Sequence, residues 1–544
     1  MNIKRLKNKN IYINLLAFLY SFFIILFTSY KFFKNASLVF KNIFLTILSF
    51  LFSFLIIKYL IVLLFEKFDN YKTNDFKFKN KFLSLFDKHP FLFSLAIIIV
   101  LWLPYIISFY PIILSPDPSF QIMQYFKIPN KYMDYSVMLD RNVTITNHHP
   151  IIHTLLLGSL LKIGHTFFND NFGLFLYSLV QILILSTTLS YSIYYMKKIN
   201  VSCKYRFIVL LIYSLVPMFP FYAMSAVKDV IFSSLMILYN ILIFDFIRNN
   251  KEKISFKKII GTILLWILIC LFRNNGFYVI LLSFPFLFFL IKKNKLPFIL
   301  IYIFIISFNF TYNKVILPYY KITPTSIREA LSIPFQQTAR YVSYNEIGKE
   351  EYEIYDKILD MSDLKERYKE NISDPVKNKY NKFTTSSDLK KYFKYWMLGF
   401  FKDPTCYIDA TINNTYGYFY PFEVSWYIYY KYDTRIVQKG FNYHYNNLVS
   451  TRKLLSTYGI IYPFIPIIGL ISNIGFNTWI LIFMLFYFLY RKKYKYIVYL
   501  MPSFISLLVC IASPVNTYFR YAMPYIFSMP VLISFFLSSI QNKD

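Results

Sequence analysis

Residues 114–164 read LSPDPSFQIMQYFKIPNKYMDYSVMLDRNVTITNHHPIIHTLLLGSLLKIG. This stretch follows a strongly apolar run, carries an isolated acid at Asp117 between two prolines, and ends in Asn147-His148-His149-Pro150 at the head of an amphipathic segment. Polar chemistry is crowded beside a run long enough to cross a bilayer. That adjacency decides the class of fold.

The same kind of run recurs along the 544 residues, which are 56% hydrophobic and 22% aromatic. Each near-continuous run reaches about 20 residues, the length that spans a hydrocarbon core of roughly 30 Å. A soluble core made of such segments needs amphipathic elements to cover it, and the sequence lacks them. The expected fold class is all-α, a polytopic membrane protein built as a helical bundle.

A formal net charge of +31 raises the possibility of nucleic acid as a partner. The basic residues, however, sit in short clusters between apolar runs and form no long basic face, so they read as topology signals and nucleic acid is not expected. The four cysteines, Cys203, Cys270, Cys406 and Cys510, make neither a disulfide framework nor a C-x-x-C metal pattern. The N-terminal MNIKRLKNKN and the apolar run after it resemble a signal peptide without a cleavage site, and we read a retained first helix.

Candidate spans are 11–30, 43–65, 91–114, 172–195, 207–222, 230–247, 259–272, 276–291, 297–312, one within 460–490, 496–513 and 521–540. That is about twelve crossings. Basic clusters at 1–10, 66–90, 197–206, 248–258, 292–295 and 491–495 all belong in the cytoplasm if 151–168 and 460–470 do not cross completely. The expected localisation is then a bacterial plasma membrane, multi-pass, with both termini cytoplasmic. Two large loops face outward. The domain reading is 1–90 for two N-terminal helices and a cytoplasmic loop, 91–313 for a transmembrane module with the first outer loop at 115–171, 314–457 for a large extracytoplasmic loop, and 458–544 for the C-terminal helices.

Three groups of residues could carry chemistry. In Ser-Pro-Asp-Pro the prolines stiffen the chain, and a stiff loop presenting one carboxylate at a membrane surface suits a general base; Asp117 equally suits stopping the span or capping the next helix. Asn147, His148 and His149 precede Pro150, which opens a helix through His153. His149 and His153 share a helical face and with Asp117 or Asp140 could hold a metal, but the glutamate of H-E-x-x-H is absent, so substrate hydrogen bonding or a helix cap is the better reading and no metal is expected. Lastly, Lys228, Arg273, Arg340 and Arg520 are lone cations at the outer surface. They read as snorkelling anchors or as a pocket for a phosphate or diphosphate, and Lys228 beside Asp229 also reads as a self-satisfied pair.

An acid after an outward-going span, a juxtamembrane loop, and a His-Pro start to the next helix resemble the C-type (GT-C) glycosyltransferase superfamily, most of all its protein O-mannosyltransferase and lipid A aminoarabinose transferase branch. The matching residues are Asp117 and His149-Pro150-Ile151-Ile152, within 91–313. The whole chain is also similar to a group of Gram-positive membrane proteins sharing NHHP, RNNG and SIPFQQTAR segments. The sequence departs from the superfamily in having a single acid and Ile151 in place of a second proline. The resemblance implies a GT-C-like bundle that transfers a sugar, with inversion, from a polyprenyl-phosphate donor to a cell-envelope glycan or protein acceptor, with Asp117 as base. Arg273, Arg340, Arg520 and Lys228 would bind the lipid phosphate, and Asn147, His148, His149 and His153 would orient acceptor or sugar. Two rivals use the same cations. A lipid-linked polysaccharide polymerase or ligase leaves Asp117 dispensable, and a transporter or flippase of a lipid-linked glycan asks for charges at span centres, which are almost absent.

Overall fold

Runs that are apolar on every face satisfy their backbone N–H and C=O groups internally, so they fold as helices. The computed structural model describes residues 10–72, 81–132, 145–250, 254–291, 293, 295–424, 427–513 and 515–541. In chain order its principal helices are α1 (Ile11–Phe33), α2 (Ile43–Asp69), α3 (Pro90–Ser108), α4 (Pro116–Tyr125), α5 (Ile151–Phe167), α6 (Asp170–Lys198), α7 (Cys203–Leu215), α8 (Lys228–Arg248), α9 (Phe256–Phe272), α10 (Gly276–Leu290), α11 (Lys295–Thr311), α12 (Ser332–Tyr344), α13 (Lys349–Leu359), α14 (Ser386–Lys402), α15 (Pro404–Thr415), α16 (Val449–Ile461), α17 (Ile474–Tyr490), α18 (Met501–Ile511) and α19 (Phe519–Gln541). The fold is an all-α bundle of membrane type.

Among the described residues, eight helices are long and apolar enough to cross a membrane, against the twelve crossings expected. The shortfall lies in interrupted or short segments. α10 and α17 have 15 and 17 residues. The expected span 207–222 is broken: α7 stops at Leu215, Val216 is extended ahead of Pro217, and a short helix Met218–Ala223 follows. The span expected over 91–114 ends at Ser108, and Ile113 instead pairs with Ser225 in a parallel bridge. Near the middle of α2, Lys58 is a buried charge.

Burial separates inner from outer helices. α8 and α19 bury 83% and 89% of their apolar windows, whereas α2 buries 17% and turns the rest outward. The two inner helices stack Phe244 on Phe535 with ring centroids 4.1 Å apart. Lys228 and Asp229 open α8 and Arg520 lies in the first turn of α19, so the innermost helices set charged residues at their N-terminal ends.

The two long polar segments are joined. Strand β1 (Ile145–Thr146) pairs in parallel with β2 (Ile322–Thr323). Beyond β2 the chain builds a second core from α12 to α15, centred on Phe335, Tyr355, Leu364, Tyr392 and Tyr407.

Candidate functional site

Asp117 lies in the first turn of α4, with Pro116 in the opening turn and Ser115 as the residue before it. The prolines therefore begin a helix here, correcting the expectation of a stiff loop. α4 packs closely on α5: a Cβ on Gly158 would lie 2.1 Å from the Tyr125 ring, so this contact requires glycine.

Asp229 is the centre of the charged cluster. Its Oδ2 accepts from Arg520 Nε at 3.0 Å and lies 2.9 Å from Nη2, and its Oδ1 lies 3.3 Å from Arg273 Nη1. Its place in the first turn of α8 also sets its charge at the positive end of the helix dipole. Arg520 then turns its remaining nitrogen to Asp117, Nη1 donating to Oδ2 at 3.0 Å. The side chains of Asp229, Arg273 and Arg520 are nearly closed off, whereas that of Asp117 is 33% exposed. The cluster therefore opens at Asp117. Tyr429 adds its ring beneath Arg520, 5.8 Å from the guanidinium carbon.

Lys228 makes no ion pair with Asp229 within hydrogen-bond range among the described residues, correcting the self-satisfied pair. Its Nζ sits 3.2 Å from His149 Nδ1. A lysine nitrogen donates, so Nδ1 accepts and the imidazole proton belongs on Nε2. That Nε2 is buried without a hydrogen-bond partner among the described residues. Burial, then the Lys228 charge, pushes His149 well below the usual histidine range, and burial pushes His148 down to about 4 despite Glu329 at 3.8 Å. Both rings are therefore neutral near pH 7. Burial alone would raise the Asp117 carboxyl, but Arg520, then His149 and Lys228, outweigh it and hold Asp117 well below the usual carboxylate range.

Three groups of expected site residues fall elsewhere. Asn147 is used structurally: its Oδ1 accepts from Ile151 N, its carbonyl receives Asn274 Nδ2 and Thr325 Oγ1 at 2.9 Å each, and its N–H donates to Thr323 O. This knot ties NHHP, RNNG and the strand at the start of the second polar segment together. In RNNG the glycine is required, because a Cβ on Gly276 would lie 2.2 Å from the Ile269 carbonyl. His153 is fully buried with its ring nitrogens on Gln121 Oε1 at 3.1 Å and Tyr177 OH at 2.7 Å, so it pins α4, α5 and α6 together and shares no ligand set with His149.

Arg340 is not in the cluster. Its Nη2 donates to Asp409 Oδ2 at 2.9 Å and to Lys34 O at 3.2 Å, and Nη1 reaches Tyr368 OH. Its charge is spent fixing α12 and α15 to the end of α1. No group of three or more His, Cys, Asp or Glu spaced to hold a metal occurs among the described residues, and Asp140 lies outside them.

Reading from sequence missed Asp229 as the hub, Tyr429, and the ring stack of Tyr132 on His148 at 4.4 Å. The acid at the start of α8 was the available signal; nothing local marked the tyrosines. Arg273 also stands between the rings of Phe232 and Tyr521, at 5.3 and 5.6 Å, and lines a narrow crevice with Asn275, Val279, Ser506, Val509 and Pro524.

A fold of membrane helices with a buried arginine and carboxylate cluster at the ends of its two inner helices is the class this geometry defines. The chain belongs to a family of unknown function, DUF6020, whose profile matches residues 135–543. Lys228, Asp229, Arg273, Arg520 and the NHHP segment lie inside the match, and Asp117 lies outside it. No curated protein matches the chain. No solved structure matches it either.

Proposed function

We propose that this chain is a membrane-embedded glycosyltransferase of GT-C-like architecture, moving a sugar with inversion from a polyprenyl-phosphate donor to a cell-envelope acceptor at the outer membrane face. The observation that carries the reading is the meeting of Asp117, His149, Lys228, Arg273 and Arg520 from separate stretches at one cluster that opens at the carboxylate and at the half-buried Lys228. Three cations face two carboxylates there, leaving one unit of positive charge for an anionic group once the histidines are neutral. The donor phosphate is that anion.

In the reaction the acceptor hydroxyl oxygen attacks the anomeric carbon, its proton passes to Asp117, and the bond from that carbon to the phosphate oxygen breaks, releasing polyprenyl phosphate. Arg273, Arg520 and Lys228 stabilise the charge developing on the leaving oxygen. Arg520 holds Asp117 as a weak base at rest. As its Nη1 turns to the phosphate, the carboxylate is freed to take the proton. The His149 Nε2–H donates to a sugar or acceptor oxygen.

A second reading follows from Asp117 lying outside the family match. In a lipid-linked polysaccharide polymerase or ligase, the arginines would carry the activity and Asp117 would be dispensable. The discriminating experiment is loss of surface glycan in a deletion strain, complemented with wild type, Asp117→Asn and Arg273→Ala, with membrane levels checked. Failure of both well-inserted variants supports transfer with Asp117 as base. Full rescue by Asp117→Asn, with failure of Arg273→Ala, moves the function to the second reading.

A further inference from the structure

The helix α14 buries Tyr392 and Gly399 against the second core. Its opposite face is uncovered among the described residues. Phe393, Met397 and Phe401 recur there at four-residue intervals, Leu398 stands beside them and Ile408 follows on α15, with exposures of 37% to 72%. Lys390 and Lys394 lie on the same row at its N-terminal end, with Lys391 adjacent. A continuous row of large apolar side chains edged by lysine is the face that an interfacial helix presents to lipid.

Hydrogen bonds fix where this face lies. Tyr30, in the last turn of the membrane-length α1, donates to Asp409 Oδ1 of α15 at 2.6 Å. Two residues further along α15, Thr411 Oγ1 accepts from Gln337 Nε2 at 2.9 Å, and Gln337 Oε1 accepts from Trp396 Nε1 at 3.1 Å. Tyr407 OH donates to the Trp396 carbonyl at 2.8 Å. The middle of α14 is therefore held within two side chains of the end of α1, where Phe32 and Phe33 are 66% and 50% exposed.

We propose that the exposed face of α14 lies on the bilayer, with Phe393, Met397 and Phe401 in the acyl boundary and Lys390, Lys391 and Lys394 on anionic lipid headgroups. The occupant is lipid because the face continues the uncovered end of a membrane-length helix and its lysines complement phosphate headgroups. The second core is thereby laid flat beside the charged cluster, and the contact is independent of the reaction catalysed.

The test uses the full chain in nanodiscs containing phosphatidylglycerol, with a bimane label on Met397→Cys, Phe401→Cys or, as a control on the polar surface, Glu353→Cys. The native described cysteines are buried, so unlabelled wild type measures the background. Expected is quenching of the Met397 and Phe401 labels by nitroxide-bearing lipid several-fold stronger than that of the Glu353 label, together with protection from aqueous iodide. Quenching of all three labels by iodide alone overturns the proposal. So does protection from both quenchers accompanied by a mass corresponding to two copies per disc.

Discussion

Arg520 Nη1 donates to Asp117 Oδ2 at 3.0 Å while the other nitrogens of the same guanidinium hold Asp229. One side chain thus joins the exposed carboxylate to the buried one. Replacing either acid has different consequences.

Asp229→Asn leaves Arg273 and Arg520 buried with one acid between them. Removing one partner of a buried ionic group costs about 3–5 kcal/mol, so the variant is expected to unfold at markedly lower temperature in detergent. Adding Arg273→Met removes one of the stranded charges, and the double variant is expected to recover part of the loss. Thermal denaturation of wild type, Asp229→Asn, Arg273→Met and the double variant measures this non-additivity.

Asp117→Asn is expected to keep the fold, because Asp229 still satisfies Arg520. Its effect appears in pH dependence. The folded carboxyl is held below the unfolded value of about 3.9, so its pairing contributes stability above that value and loses it as pH falls through the lower folded value. Between pH 8 and 5 this group adds no slope. Arg520→Gln removes the largest charge that holds the carboxyl down, so the loss of stability on acidification that this group contributes is expected to shrink; Asp117→Asn is then expected to change the acid limb less in that background than in the wild type.

His148 has the same sign of linkage in a higher pH window. Its pKa is pushed from 6.5 down to about 4, so the unfolded chain binds its proton first and stability falls as pH drops between those values. His148→Asn is expected to make that decline shallower in a melting series from pH 8 to 4. An unchanged decline contradicts the burial of a neutral imidazole.

Arg340→Met removes the tie between α12, Asp409 and the end of α1. A loss of about 3 kcal/mol is expected, since Asp409 is left without its cation, and limited proteolysis should cut the 314–415 region faster. Glycan complementation, corrected for membrane level, should persist, because Arg340 is outside the cluster.

The helical class and the residues worth watching were legible from sequence, because apolar run length and isolated charges are local signals. Lys228, Arg273 and Arg520 stand out by breaking the basic-cluster pattern, and they do converge. Arg340 breaks the same pattern and goes elsewhere, since a lone cation does not announce which acid it will meet. Asp229 was visible beside Lys228, yet adjacent residues on a helix point in different directions. Its real partners lie on segments far along the chain. Asn147 and His153 look like ligands because their types are ligand types, and only the positions of Thr325, Asn274, Gln121 and Tyr177 reveal them as structural pins. The break in 207–222 had a sequence cause in Pro217, hidden by the apolar residues around it.

The most direct test of the central claim is release of polyprenyl phosphate. Purified protein in nanodiscs, supplied with the lipid-linked sugars and envelope extract of the deletion strain, is assayed by mass spectrometry of the lipid fraction. The account predicts that wild type releases polyprenyl phosphate, that Asp117→Asn lowers the rate by roughly 10²-fold or more, and that Arg273→Ala also lowers it. Release by Asp117→Asn at the wild-type rate, or no release by a folded wild-type protein that restores glycan in cells, would contradict it.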